Sequence, residues 1–146
     1  MKKAVIVLIS IVVVIVLFIY TYWSSIVPDF EPTYTVVELK SDASQESIYL
    51  KKKVWGISSD HQVIVISASG EVEFEAQESE EYLYKTSTPF LYEFKDDLLK
   101  VYTRRASPIP SNFDSSIKVE QVVLNNSDML DLLDKHEEKG VKAFSR

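Results

Sequence analysis

The chain has 146 residues, no cysteine, and 16 basic against 22 acidic side chains, for a formal charge of −6. That length holds one ordinary domain, and the lack of cysteine excludes disulfides, thiolate zinc sites and cysteine nucleophiles. Setting Lys2 and Lys3 aside leaves 14 basic against 22 acidic groups, which argues against sequence-independent nucleic-acid binding, where Lys and Arg must displace counterions from phosphate.

Residues 4–20 read AVIVLISIVVVIVLFIY, and fourteen of these seventeen are Val, Ile, Leu or Phe. No charge occurs from Ala4 to Pro28. Continued to Trp23 the run has twenty residues, which as a helix reach about 30 Å, the thickness of a hydrocarbon core. A helix satisfies its own backbone polar groups in lipid, so a single transmembrane helix is expected over residues 4–23, with the bilayer as its partner. The alternative is a secretory signal, leaving a secreted or periplasmic protein after cleavage. A signal's apolar region is shorter and ends at small residues, whereas this run ends at Phe18, Tyr20, Tyr22 and Trp23, ring-rich as membrane interfaces are. Lys2 and Lys3 precede the run and the next basic residue is Lys40. By the positive-inside rule the N-terminus lies in the cytoplasm and the rest outside the plasma (inner) membrane. A lipoprotein lipobox cysteine and a pilin-type charge within the run are both missing.

Residues 24–33, with Pro28 and Pro32, read as a short linker, and 34–146 as an extracytoplasmic β-rich domain. Residues 34–40 show the period of a strand and 41–47 that of a polar loop. Three strands are expected next: 48–54, then 62–68, whose β-branched run QVIVISA suits burial on both faces, then 71–76. A Ser69-Gly70 turn would join the last two. In 71–76, Glu71, Glu73 and Glu75 point outward and Val72, Phe74 and Ala76 inward. Residues 81–85 form a further strand, and 89–95 with 98–103 form a hairpin around Asp96-Asp97. Residues 106–116 read as a loop and 117–124 as a final strand. The period then changes: Met129, Leu132, Leu133 and His136 mark an amphipathic helix over about 127–139, capped by Asn126 or Ser127 and stopped by Gly140. The expected fold is mainly β: the transmembrane helix plus a small antiparallel β-sandwich or partly open barrel with one C-terminal amphipathic helix.

No motif assigns an activity. Asp60 and His61 sit together in a loop with Ser58 and Ser59, the residue types of a hydrolase, but triad members converge from separate segments and no G-x-S-x-G elbow occurs. His136 has Leu132 and Gly140 at the helical partner positions, so no two-point metal site forms. The row Glu71, Glu73, Glu75, Glu78, Glu80, Glu81 lacks calcium-loop spacing and reads as a solvated face, able to dock a basic partner. Lys51, Lys52 and Lys53 form a small basic cluster, with Lys52 on the nominally inner face, a sign of a bulge or an edge strand. Arg104-Arg105-Ala106-Ser107 matches a basic kinase string, and Asn125-Asn126-Ser127 matches a glycosylation sequon. No catalytic, cofactor or metal residue is assigned.

The stretches VWGISSDHQVIVIS (54–67) and PFLYEFKDDLLKVYT (89–103) resemble segments of small, membrane-anchored bacterial proteins of unknown function. That resemblance implies an anchor, linker and β-rich domain, and no activity. The expectation is therefore a single-pass membrane-anchored envelope protein, a protein-interaction or structural module with an envelope protein as partner. An envelope hydrolase using the Asp60/His61 loop, and an inhibitor or immunity-type protein with an acidic binding face, stand as alternatives.

Overall fold

The structure, a computed structural model, describes residues 2–26, 31–56, 61–85 and 89–144, and in the first of these segments the side chains of 10–22. The chain divides into two units, Met1–Glu31 and Pro32–Arg146.

The first unit holds one helix, α1 (Lys2–Ile26). Its side chains from Ser10 to Tyr22 are all exposed, Phe18 stacks on Tyr22 with ring centroids 6.5 Å apart, and the Thr21 hydroxyl donates back to the carbonyls of Leu17 and Phe18. Among the described residues, no helix is long and apolar enough to cross a membrane.

The second unit is mainly β. It comprises β1 (Thr33–Lys40), β2 (Ser47–Trp55), β3 (His61–Ser67), β4 (Tyr82–Tyr84), β5 (Phe90–Lys95), β6 (Leu98–Thr103), β7 (Lys118–Val123), α2 (Asn126–Asp134) and β8 (Lys142–Phe144). One sheet has the order β1-β2-β3-β4 and is antiparallel throughout. The other has the order β7-β6-β5-β8 and is mixed, because β7 runs parallel to β6. The period-2 alternation places Ile48, Leu50, Ile64, Ile66, Tyr82 and Tyr84 of the first sheet in one core with Phe90, Tyr92, Leu99, Val101 and Phe144 of the second. Each sheet also buries part of its other face. On the first, Val63 and Val65 pack under Phe74; on the second, Leu91 packs against Met129 and Leu132 of α2 and against Val141. That second cover explains why both β3 and β5 read as near-continuous apolar runs.

Several expectations hold. The strands expected at 34–40, 48–54, 62–68, 81–85, 89–95, 98–103 and 117–124 are present within a residue or two. The β5–β6 hairpin turns at Asp96 and Asp97, whose φ values of 50° and 58° both lie in the left-handed region that a type I′ turn demands and Asp tolerates.

Four expectations are corrected. Residues 71–76 form no strand: the position beside β3 belongs to β4, and the chain instead crosses over the outer face of β2. Gly70 permits the crossing, since a Cβ there would lie 2.9 Å from the Tyr49 ring. Phe74 is buried as expected, but Val72 is exposed. The domain is not wholly antiparallel, because residues 104–117 carry the chain from the end of β6 back to its start before β7 begins. This crossover contains no helix and is held by other contacts. Asn112 N–H donates to the Ser79 carbonyl, Phe113 meets Tyr82 edge-on at 5.1 Å, Ile117 enters the core, and Ser116 donates its N–H and hydroxyl to Glu46. Those two hydrogen bonds hold the Glu46 carboxyl below its ordinary range. Third, the strand β8 escapes the periodic reading because three residues are too few to show a period.

Fourth, α2 is shorter than expected and is capped one residue earlier. Asn125 is the cap: its side-chain oxygen accepts from Asp128 N–H at 2.9 Å and its amide donates to the Asp128 carboxylate. The sequon asparagine is thus a structural cap. Replacing it, Asn125→Ala, is expected to lower stability by about 1 kcal/mol, measured by urea unfolding; an unchanged midpoint would show the helix end to be held by packing alone.

Candidate functional site

The lysine run of β2 is the most unusual local feature of the domain. Strand alternation sends Lys52 toward the core between the sheets and Lys51 and Lys53 to the outer face. β2 is an internal strand paired in unbroken register on both sides, so the expected bulge or edge position of Lys52 is corrected. Lys52 lies in the interior with its ammonium 5.3 Å from the Phe144 ring centroid.

Lys51 is the more deeply placed of the three, with 2% of its surface exposed. Its neighbours across the sheet are Val36 and Val65, which offer no polar partner. The segment after β3 supplies the partners. Glu81 pairs with the Lys51 ammonium at 3.0 Å, and the Phe74 ring lies 4.6 Å from it. The other Glu81 oxygen accepts from Gln77 N–H at 3.1 Å, and Glu81 N–H donates to the Gln77 carbonyl at 2.9 Å. A buried charge needs both a counter-charge and hydrogen bonds to its remaining atoms, and residues 74–81 provide them. Lys53 repeats the device nearer the surface: Glu75 pairs with it, and the Tyr34 and Trp55 rings lie 5.7 Å and 5.9 Å away. The hydrogen bond to Glu75 holds the Lys53 ammonium above the ordinary lysine range.

These anchors leave the rest of the segment facing solvent. Glu71, Glu73, Glu75, Glu80, Glu81 and Asp114 line one recess of about 310 Å³ with Lys51 and Phe74. The Lys51 ammonium is already engaged by Glu81 and Phe74 and closed to solvent, so it holds the segment down and offers no accessible nucleophile. What the recess presents outward is negative potential, which attracts cationic groups and speeds encounter with a basic partner.

The other singled-out residues do not join this recess. Ser58, Ser59 and Asp60 of the hydrolase reading lie outside the described residues. His61 opens β3 on the exposed surface, edge-on to Trp55 at 5.8 Å. His136 is half-buried just past α2, its Nδ1 2.6 Å from the Leu133 carbonyl. Among the described residues, no three His, Asp or Glu side chains gather as metal ligands would. The kinase string is closed by burial: the Ser107 hydroxyl accepts from Leu83 N–H at 2.8 Å and donates to the Pro108 carbonyl. The buried Lys51–Glu81 pair was not anticipated from the sequence. Its one signal was a lysine run inside a strand with apolar residues on both flanks, which requires a carboxylate from elsewhere in the chain.

No family model, no curated protein and no solved structure matches this chain.

Proposed function

We propose that this is a single-pass membrane-anchored envelope protein whose β domain is a protein-interaction module, docking a basic partner through the acidic surface of residues 71–81. The anchor is the apolar run Ala4–Trp23, oriented by Lys2 and Lys3 with the N-terminus in the cytoplasm and residues 34–146 outside. The layout is that of the small membrane-anchored bacterial proteins which residues 54–67 and 89–103 resemble. The observation that carries the binding role is the acid-lined recess: a 310 Å³ concavity bordered by six carboxylates, on a segment held to the sheet by the buried Lys51–Glu81 pair and the more exposed Lys53–Glu75 pair. Tethering raises the local concentration of such a module for any partner in the same membrane.

The test is fractionation with protease shaving of intact cells, using tags at both ends. The expected result is a membrane-bound chain whose C-terminal tag is lost to external protease while the N-terminal tag survives. A chain found free in the cytosol, or one beginning near Ser24, overturns the anchor. The docking surface is tested separately with Glu71→Lys, Glu73→Lys and Glu80→Lys combined, which leaves the Lys51–Glu81 and Lys53–Glu75 pairs in place. Binding to the partner is expected to fall at least tenfold at low salt, and unchanged affinity overturns the acidic surface as the contact.

A further inference from the structure

A second recess, of about 360 Å³, lies where β6 ends beside β4. It has the opposite character. Lys85, Arg104 and Arg105 line it against a single carboxylate, Glu78, with Leu83 and Pro108 as apolar wall. Arg104 and Arg105 are two of the three arginines in a chain whose net charge is negative. Lys53, Lys95, Lys100, Lys135 and Lys139 each have a carboxylate within 4.0 Å. Among the described residues, the exposed Lys85, Arg104 and Arg105 have none; the same holds of Lys40, Lys118 and Lys142, but these do not line the recess.

The backbone beneath these cations is pinned from both sides. Thr103 is buried; its hydroxyl donates to the Arg105 carbonyl at 2.8 Å and accepts from Arg105 N–H, while the Thr103 carbonyl accepts from Leu124 N–H. Ser107, two residues on, is locked to Leu83 and to Gln121. Two arginines adjacent in sequence are therefore carried on a fixed backbone turn at the mouth of a concavity in the size range of small-molecule sites. Guanidinium is the side chain whose planar fork matches the oxygens of phosphate, and a fixed backbone beneath it leaves only the side chain to be ordered on binding.

We propose that this recess binds a phosphate ester: the guanidinium groups of Arg104 and Arg105 take the phosphate oxygens, Lys85 adds charge, and Leu83 and Pro108 face the organic part. A soluble organic phosphate and an anionic phospholipid headgroup share this chemistry. The site is independent of the acidic surface and of the anchor.

The test uses the isotopically labelled full chain in nonionic micelles, titrated with glycerol 3-phosphate and read by the amide shifts of Arg104, Arg105 and Ala106. In parallel, the chain is placed in nanodiscs of phosphatidylcholine with and without phosphatidylglycerol. Saturable shifts with glycerol 3-phosphate identify a soluble ligand, and shifts seen only with phosphatidylglycerol identify a headgroup. In either case Arg104→Gln/Arg105→Gln is expected to weaken binding at least tenfold, and raised salt to weaken it further. Lys135→Gln/Lys139→Gln, on the exposed stretch around the end of α2, is expected to leave it unchanged. Lys85→Gln, which leaves the β6 turn untouched, gives a smaller loss and stands in if the double variant misfolds. No saturable shift with either source, or shifts indifferent to loss of the arginines, overturns the proposal.

Discussion

Glu81→Ala is expected to destabilise the β domain by about 3–5 kcal/mol, the cost of leaving a buried charge without its counter-ion. Lys51 stands in the middle of an internal strand with Val36 and Val65 beside it and is 2% exposed, so its ammonium depends on Glu81 for a counter-charge. Removing Glu81 also frees Gln77 N–H, which it accepts, and so loosens the turn that keeps Phe74 over Lys51. The Phe74 ring alone compensates by only about 2 kcal/mol even when desolvated. The double variant Lys51→Met/Glu81→Gln removes the charge and its partner together, and pairs replaced in this way often cost nothing. Its stability is expected within about 1 kcal/mol of the parent. Urea unfolding of the full chain in nonionic micelles, followed by near-UV circular dichroism, measures both. A Glu81→Ala loss below about 1 kcal/mol, the worth of an exposed pair, would mean that water reaches Lys51 in solution.

Gln121→Leu is expected to cost about 2–6 kcal/mol, because two buried polar groups lose their acceptor at about 1–3 kcal/mol each. Gln121 stands on β7, at the edge of the mixed sheet, and its side-chain oxygen accepts from the Tyr84 hydroxyl at 2.8 Å and from Ser107 N–H at 2.7 Å. Its amide donates to the Ser107 carbonyl at 3.0 Å. Tyr84 belongs to β4, at the edge of the antiparallel sheet, so one side chain ties the edges of both sheets to the crossover between them. Tyr84 is buried, and desolvation pushes its phenol far above the ordinary tyrosine range, which leaves the hydroxyl a donor in need of an acceptor. Adding Tyr84→Phe to Gln121→Leu removes one of the orphaned groups. The double variant should therefore lose less than the sum of the single losses, with a coupling of about 1 kcal/mol. Faster hydrogen exchange at the amides of Leu83 and Ser107 is the accompanying local sign. Strict additivity of the two substitutions would show that the network does not couple the sheets.

The residues that could be read correctly in isolation share a property: their neighbours in sequence settle their conformation. QVIVIS announced a strand covered on both faces, and both faces of β3 are covered. Asp96-Asp97 announced a tight hairpin turn, and the left-handed backbone there is what such a turn needs. The change of period at Met129 announced α2, and Met129 and Leu132 are its buried residues. Residues 71–76 misled because strict alternation is satisfied equally by a strand and by an irregular segment that plants one side chain, Phe74, every few residues. The acidic recess was half legible, since the outward carboxylates could be named but not the buried Lys51–Glu81 pair that seats them. The Lys85/Arg104/Arg105 recess was not legible, because Lys85 is brought beside the two arginines only when β4 and the end of β6 meet.

Composition and periodicity by themselves determined that this chain joins a long apolar run to an acidic, β-rich domain, and where most of its strands begin and end, because burial against solvent leaves its mark every second residue. Tertiary structure alone decided which strands pair and in which direction. It sent β7 parallel to β6, gave the place beside β3 to three residues of β4, and made Lys51 and Lys52 of β2 interior cations. Such choices depend on contacts between residues thirty positions apart, as Lys51 and Glu81 are, and a buried charge is tolerated only where the fold delivers its partner.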